Sequence, residues 1–402
     1  MKKHILFVDD EAFVLFALRR LLRCHRDLWD VEFAESGQLA LQKMDERPFD
    51  VIVSDMRMPG MDGPELLAEV RKRHPRTVRI ILSGQSDEDV RLRAVGPAHQ
   101  YLSKPCDPKT LKNAVTRACM LRDRLENGSL RRLVSQIESL PSLPSVYQEL
   151  VSELRSGDAS IERVAEIIAS DIAMTMKVLQ LVNSSFFGLT QRITDQRQAV
   201  KWLGIKRIEP LVLTAGVFSQ VDNGDLRGLD FAAFVDHCLA VGTRAKDIMA
   251  QLSDKAEDAE DAFLAGMLHD LGKLVLASQL PAQYLEAVDT AAQRAVPVWQ
   301  TEMKMFGASH AEVGAYLAGL WGLPDPIVEA IAFHHDPHRA SLREFAPLTA
   351  VHVANALEHE DYPSDGTQGR LNVDKSYLES LGMLHQLPLW REQRESQRTE
   401  VV

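Results

Sequence analysis

Short apolar runs alternate with amphipathic stretches through residues 1–122. HILFVDDE, VIVSDMRMPGMDG, VRIILSG and HQYLSKP carry four of the runs, and residues 30–35 supply another. Continuous apolar runs read as strands buried on both faces of a sheet. The pattern predicts strands near 4–10, 30–35, 50–55, 78–83 and 99–103. Helices are predicted near 11–24, 37–46, 63–73, 86–94 and 107–125. Strict alternation of strand and helix argues for a parallel, doubly wound sheet with right-handed crossovers.

Beyond this unit the periodicity is helical. Leu111, Val115, Ala118, Leu121 and Leu125 form one stripe, and Leu130, Leu133, Ile137 and Leu140 resume it after Asn127-Gly128. The second stripe predicts a helical connector over 123–142, able to pair with its copy in a homodimer. Pro141 and Pro144 turn the chain into a new domain over 143–357. Its N-terminal part, 143–220, and a histidine-rich part, 226–357, both read as all-helical. From Glu358 to Val402 the chain turns polar, which predicts a C-terminal extension with a frayed end. The expected fold class is therefore multidomain, α/β followed by all-α.

The α/β runs end in chemistry. Asp9 and Asp10 close the first, Asp55 the third, Ser83 the fourth and Lys104 the fifth. In open α/β sheets the carboxyl edge of the strands is where ligands bind. Three clustered carboxylates repel one another unless a hard divalent cation such as Mg²⁺ joins them. Asp55 could then attack phosphorus as a carboxylate nucleophile, with Lys104 and Mg²⁺ neutralising the transferring group. Residues 1–122 resemble the receiver domain of two-component response regulators, a flavodoxin-like (βα)5 fold. The resemblance implies Asp55 as phosphoacceptor and Asp9, Asp10, Asp55 and the carbonyl of Arg57 around Mg²⁺. It implies Ser83 and Tyr101 as switch residues, Lys104 on the phosphoryl group, and a sensor histidine kinase as donor.

The helical region holds His237, His269, His310, His334, His335, His338 and His352. Imidazole and carboxylate together suit a transition metal. The dipeptide His269-Asp270 can point both side chains inward only at a helix break, and Gly272 stands nearby to supply one. The motifs LPSLP, KVLQLVNSSFFG, QAVKWLG, LHDLGK, SHAEVGAYLAGLWGLP, IVEAIAFHH and TAVHVANAL resemble the HDOD domain, a relative of HD-type phosphohydrolases. The resemblance implies His237, His269, Asp270, His310, His334 and His335 as candidate metal ligands, with Lys273 in support. Two features depart from the catalytic relatives. DPHRASLREF carries no Gly-Tyr-Pro signature, and Asn355 stands where the closing aspartate is expected.

Composition narrows the partners. A net charge of −11 opposes nucleic-acid binding, because phosphate contacts need Lys and Arg. Cys24, Cys106, Cys119 and Cys238 form no CxxC pair and read as reduced cytoplasmic thiols. MKKHILFVDDE reads as a strand rather than a signal peptide, and no apolar run of about 18 residues predicts a membrane span. Two functions stand: a phosphorylation-gated adaptor whose HDOD half binds a downstream protein, or a receiver-controlled metal-dependent phosphohydrolase.

Overall fold

The computed structural model describes residues 2–25, 27–83, 97–104, 109–116, 144–155, 159–183, 193–205, 229–340, 344–361 and 372–392, with Cys106, Val134, Pro141–Ser142, Ile208 and Ser219–Gln220 between them. The predicted helix near 86–94 and the connector residues Leu130, Leu133, Ile137 and Leu140 lie outside the described residues, as does the tail from 393. The chain divides into two compact units, Met1–Val221 with Tyr316–Leu323, and Asp222–Ala315 with Pro324–Val402.

The first unit begins with a five-stranded parallel sheet in the order β2-β1-β3-β4-β5. Its strands are β1 (Lys3–Val8), β2 (Trp29–Ala34), β3 (Val51–Asp55), β4 (Val78–Ser83) and β5 (Gln100–Ser103). Ile5, Leu6, Phe7, Val51, Ile52, Val53, Ile80 and Ile81 are all buried, as strands covered on both faces require. Helices α1 (Ala12–Leu21), α2 (Gly37–Glu46) and α3 (Gly63–Arg73) connect them, and residues 109–116 are helical. A capping box starts α3: Asp62 accepts from the Glu65 N–H, and Glu65 accepts in return from the Asp62 N–H. Gly63 permits a close approach, since a Cβ there would lie 2.2 Å from the Asp55 carbonyl oxygen. The start of α3 is thereby pressed against the end of β3.

Helices α4 (Pro144–Arg155), α5 (Ile161–Ala169), α6 (Ile172–Asn183) and α7 (Gln196–Leu203) follow. Ser160 and Asp195 cap α5 and α7, and the buried Asp171 accepts from the Met174 N–H at the start of α6. A two-residue parallel pair, Pro141–Ser142 with Ser219–Gln220, adds a short ladder that helical periodicity does not predict.

The second unit is helical: α8 (Phe231–Ala250), α9 (Ala256–Leu268), α10 (Leu271–Gln279), α11 (Pro281–Arg294), α12 (Val298–Phe306), α13 (His310–Leu320, whose last turn counts with the first unit), α14 (Asp325–Phe333), α15 (Pro347–Asp361) and α16 (Lys375–Ser380). The sequence ends the domain at Leu357; the helix itself continues to Asp361. Residues 372–392 are folded rather than a bare polar extension. Val373, Tyr377, Leu378, Leu387 and Trp390 are buried, and the Tyr377 hydroxyl bonds Thr349 of α15 at 2.9 Å. Among the described residues no helix is long and apolar enough to cross a membrane.

Candidate functional site

Two sites emerge, one in each kind of domain. At the carboxyl edge of the sheet, β3 ends in Asp55, β1 is followed by the buried Asp9 and the exposed Asp10, and β5 leads to Lys104. The Lys104 ammonium lies 2.6 Å from Asp9 Oδ2 and pairs with Asp55 Oδ1. The Arg57 N–H donates to Asp55 Oδ2 at 2.8 Å, and the Glu11 N–H to Asp9 Oδ1 at 3.0 Å. The sheet register pairs Asp55 with Leu82 and Ser83 with Ser103, so Ser83 sits at the same edge; Tyr101 lies on β5, paired with Ile81.

Burial raises the Asp55 pKa, and the neighbouring Asp9 adds to it, while Lys104 opposes. Burial also disfavours charge on Lys104, yet Asp55 and Asp9 more than offset it and raise that pKa. Two buried or nearly buried carboxylates thus share one ammonium, with a third at the rim. That donor set is hard, anionic and oxygen-only, and it fits Mg²⁺.

The second site is built at a helix break. His269, the C-cap of α9, keeps helical backbone angles, whereas Asp270, the N-cap of α10, leaves them, and the two adjacent side chains meet. A Cβ at Gly272 would meet the His310 carbonyl oxygen at 1.9 Å. Glycine here lets the start of α13 settle onto α10, and His310 Nε2 lies 3.1 Å from Asp270 Oδ1. Around the same carboxylate stand His269 Nε2 at 3.2 Å, His334 Nε2 at 3.8 Å, His237 Nε2 at 3.8 Å and Lys273 Nζ at 2.7 Å. His335 Nε2 is 2.9 Å from His310 Nε2, and its ring stacks on Trp299 of α12.

The other ring nitrogens fix the tautomers. His269 Nδ1 donates to the Gly266 carbonyl at 2.6 Å, and His334 Nδ1 to the Ile331 carbonyl at 2.8 Å. Their Nε2 lone pairs therefore face the Asp270 carboxylate, acceptor toward acceptor. Neither Nε2 has a hydrogen-bond partner. Ligand atoms of Asp270, His310, His334 and His335 lie within 4.8 Å of one another, as do those of His237, His269 and Asp270. Asp270 is common to both groups. Burial of these lone pairs around a single carboxylate fits a divalent transition cation. Burial holds His237, His334 and His335 well below the ordinary imidazole pKa. Burial pushes Asp270 upward, but the Lys273 ammonium and the hydrogen bond from His310 oppose it, and the carboxyl is held well below its usual value.

Sequence reasoning omits Glu302. It is fully buried on α12, and its Oε2 accepts from both the His310 N–H and His310 Nδ1, each at 2.7 Å. Its signal was an acid one turn before the buried Phe306, on the face that should be apolar. Burial lowers the His310 pKa, but Glu302 and Asp270 more than offset it and raise it to about 9. His352 has a supporting part: Nδ1 donates to the His334 carbonyl at 2.8 Å, and Nε2 accepts from the Asp374 N–H at 2.9 Å. Asn355 is buried on the same helix.

An acid-lined α/β sheet edge is thus followed by a helical histidine–aspartate cluster. Family models agree: residues 5–116 match the response regulator receiver domain and residues 140–337 match the HDOD domain. The chain is a response regulator of receiver–HDOD architecture. An uncharacterized protein of Treponema pallidum is 30% identical over 54% of this chain and 42% of its own length. The hydrogenase transcriptional regulatory protein HoxA of Cupriavidus necator is 33% identical over 43% of this chain and 36% of its own. The crystal structure of an HDOD domain protein of unknown function from Geobacter sulfurreducens is 25% identical, covering 70% of this chain and 96% of that one with a TM-score of 0.42. The chain spans less than half the length of these curated relatives.

Proposed function

We propose that this protein is a phosphorylation-gated adaptor of a cytoplasmic two-component pathway. A sensor histidine kinase supplies the phosphoryl group, and the HDOD half answers by binding a downstream protein. The carrying observation is Lys104, held between the carboxylates of Asp9 and Asp55 at the edge of the sheet. An Asp55 oxygen attacks phosphorus, and the bond from phosphorus to the donor nitrogen breaks. Lys104 neutralises charge on the transferring group, and the hydroxyl of Ser83 is assigned to its oxygens, with Tyr101 as the responding aromatic. Mg²⁺, held by Asp9, Asp10, Asp55 and the Arg57 carbonyl, supplies further charge compensation.

The histidine cluster holds a transition cation in this reading, supported by the lone pairs that His269 and His334 turn on Asp270. Asn355 is neutral where an anion would balance a second cation, so binding rather than turnover is the role assigned to the cluster. Phosphorylation with a small acyl-phosphate donor in Mg²⁺ tests the receiver. Wild type takes up one phosphoryl group, Asp55→Asn takes up none, and labelling of that variant at the wild-type rate would overturn the assignment. Metal analysis followed by a phosphodiesterase assay tests the output. Hydrolysis of a cyclic dinucleotide that disappears in Asp270→Ala would replace the adaptor with an enzyme.

A further inference from the structure

β5 ends the strand order of the parallel sheet, and Gln100, which opens it, is buried. A buried amide needs a partner. The Gln100 amide donates to the Gly319 carbonyl at 3.1 Å, in the last turn of α13. Both residues belong to the first unit. The last carbonyls of a helix are left over by its own ladder, so the bond meets a need on the α13 side as well. The Gly322 N–H reaches the same carbonyl at 3.1 Å, and a Cβ at Gly322 would lie 3.9 Å from Gln100 Cγ. The contact has a charged site at each end. Lys104 follows β5 and pairs with Asp55. α13 is unbroken from His310 to Leu320, and His310 Nε2 lies 3.1 Å from Asp270 Oδ1. His310 and Gly319 are thus about 14 Å apart along one rigid element.

We propose that the Gln100–Gly319 contact couples the two sites, so that a phosphoryl group on Asp55 weakens cation binding by Asp270, His310, His334 and His335. The inference rests on both readings above, Asp55 as phosphoacceptor and the cluster as a cation site. With Lys104 paired to Asp55, Gln100 is bonded to Gly319 and the four ligands have atoms within 4.8 Å of one another. A phosphoryl group brings anionic oxygens that compete for the Lys104 ammonium. Lys104 moves toward them and draws the end of β5 with it. Gln100, at the start of the same short strand, then loses its hold on Gly319. Released there, α13 is free to carry His310 away from the other three ligands. Coupling of this kind is reciprocal, so the cation disfavours the phosphoryl state by the same factor.

Calorimetry on the full chain in saturating Mg²⁺ tests this, with beryllofluoride as the phosphoryl mimic and Co²⁺ as the cation. In the wild type beryllofluoride weakens Co²⁺ binding at least about fivefold, and Co²⁺ weakens beryllofluoride binding by the same factor. In Asp270→Ala the effect of Co²⁺ on beryllofluoride vanishes, which excludes exchange of Co²⁺ for Mg²⁺ at the sheet edge as its source. Gln100→Leu keeps most of the volume and removes the donor. It binds Co²⁺ with the weakened affinity of the beryllofluoride-bound wild type, and beryllofluoride changes nothing further. Undiminished coupling in Gln100→Leu takes this contact out of the path and overturns the proposal. A wild type that binds both ligands independently overturns it too, with each site's own reading intact. A chain that binds no Co²⁺ overturns it through the cation reading, and one that binds no beryllofluoride through the phosphoacceptor reading. Should Gln100→Leu fail to fold, amide hydrogen exchange of wild-type residues 316–323 decides. Faster exchange there on binding beryllofluoride supports release of α13, and unchanged exchange overturns it.

Discussion

His310 Nδ1 lies 2.7 Å from Glu302 Oε2, and both side chains are sealed from solvent. The same carboxylate oxygen accepts the His310 backbone N–H at 2.7 Å. Glu302 therefore sets both the ring orientation and the position of the first residue of α13. Carboxylates behind metal-binding imidazoles commonly hold the tautomer in this way. Removing one partner leaves the other buried and uncompensated. Glu302→Ala should cost about 3–5 kcal/mol of stability. Glu302→Gln, which keeps the shape and loses the charge, should cost less and lower the His310 pKa. Denaturant unfolding of metal-stripped protein, with a ¹H NMR titration of His310, measures both. An unchanged unfolding midpoint in Glu302→Ala would show that the pair does not hold the site.

The pH dependence of the metal-stripped protein follows from opposing shifts. His310 is raised from 6.5 to about 9, so its contribution is complete below pH 6.5 and is lost as pH rises through about 9. The shift corresponds to about 3 kcal/mol. His237, His334 and His335 are lowered, so each costs stability as pH falls below 6.5, where the unfolded chain takes up protons that the folded one refuses. Stability should peak near pH 6.5 and decline on both sides. Melting temperatures across pH 5 to pH 10 check this. A profile still rising from pH 7 to pH 9 would contradict it.

The sheet and its edge were readable because strands buried on both faces leave uninterrupted apolar runs. Val51 to Val53 followed by Asp55 is such a case. The break at His269-Asp270 was readable because Gly272 accompanies it. Glu302 was not, since an acid one turn before Phe306 marks an odd position on the apolar face without naming the His310 it serves. Arg79 was hidden likewise. It is buried inside β4, where its N–H meets His99 Nδ1 at 3.1 Å and its guanidinium donates to the Pro97 carbonyl at 2.6 Å. Both are paid for by long-range partners, and periodicity carries no information about partners.

The segment 372–392 escaped for a different reason. Of its buried positions only Tyr377 and Leu378 lie in α16; Val373, Leu387 and Trp390 fall outside it, and the 3₁₀ turn Leu384–Gln386 buries none, so no single stripe forms. Trp390 is nonetheless among the largest fully buried side chains, and its carbonyl accepts from Arg244 at 3.3 Å. Trp390→Ala should therefore destabilise by about 3–5 kcal/mol through cavity formation. Truncation after residue 371 should be worse, because it also strips Asp374 from His352. Thermal unfolding checks both. A truncated chain that melts like the wild type would make 372–392 an ornament on α15.

Lys104 offers the sharpest separation between charge and packing at the sheet edge. Its ammonium serves Asp9 and Asp55 together, and those two carboxylates are nearly buried. Lys104→Met preserves most of the volume and removes the cation. Burial already raises the Asp55 pKa, and losing the opposing ammonium should raise it further. More of Asp55 is then protonated and unable to attack. In the transferring state the phosphoryl charge also loses one of its two compensating cations. Phosphorylation by a small donor at saturating Mg²⁺ should slow roughly 10²–10³-fold. Raising the pH should recover the portion due to Asp55 protonation and leave the rest. Lys104→Arg should recover less than its charge suggests, because a planar guanidinium cannot occupy the position of a compact ammonium between two carboxylates. Phosphorylation of Lys104→Met at the wild-type rate at every pH would mean that this lysine only fills the space between Asp9 and Asp55.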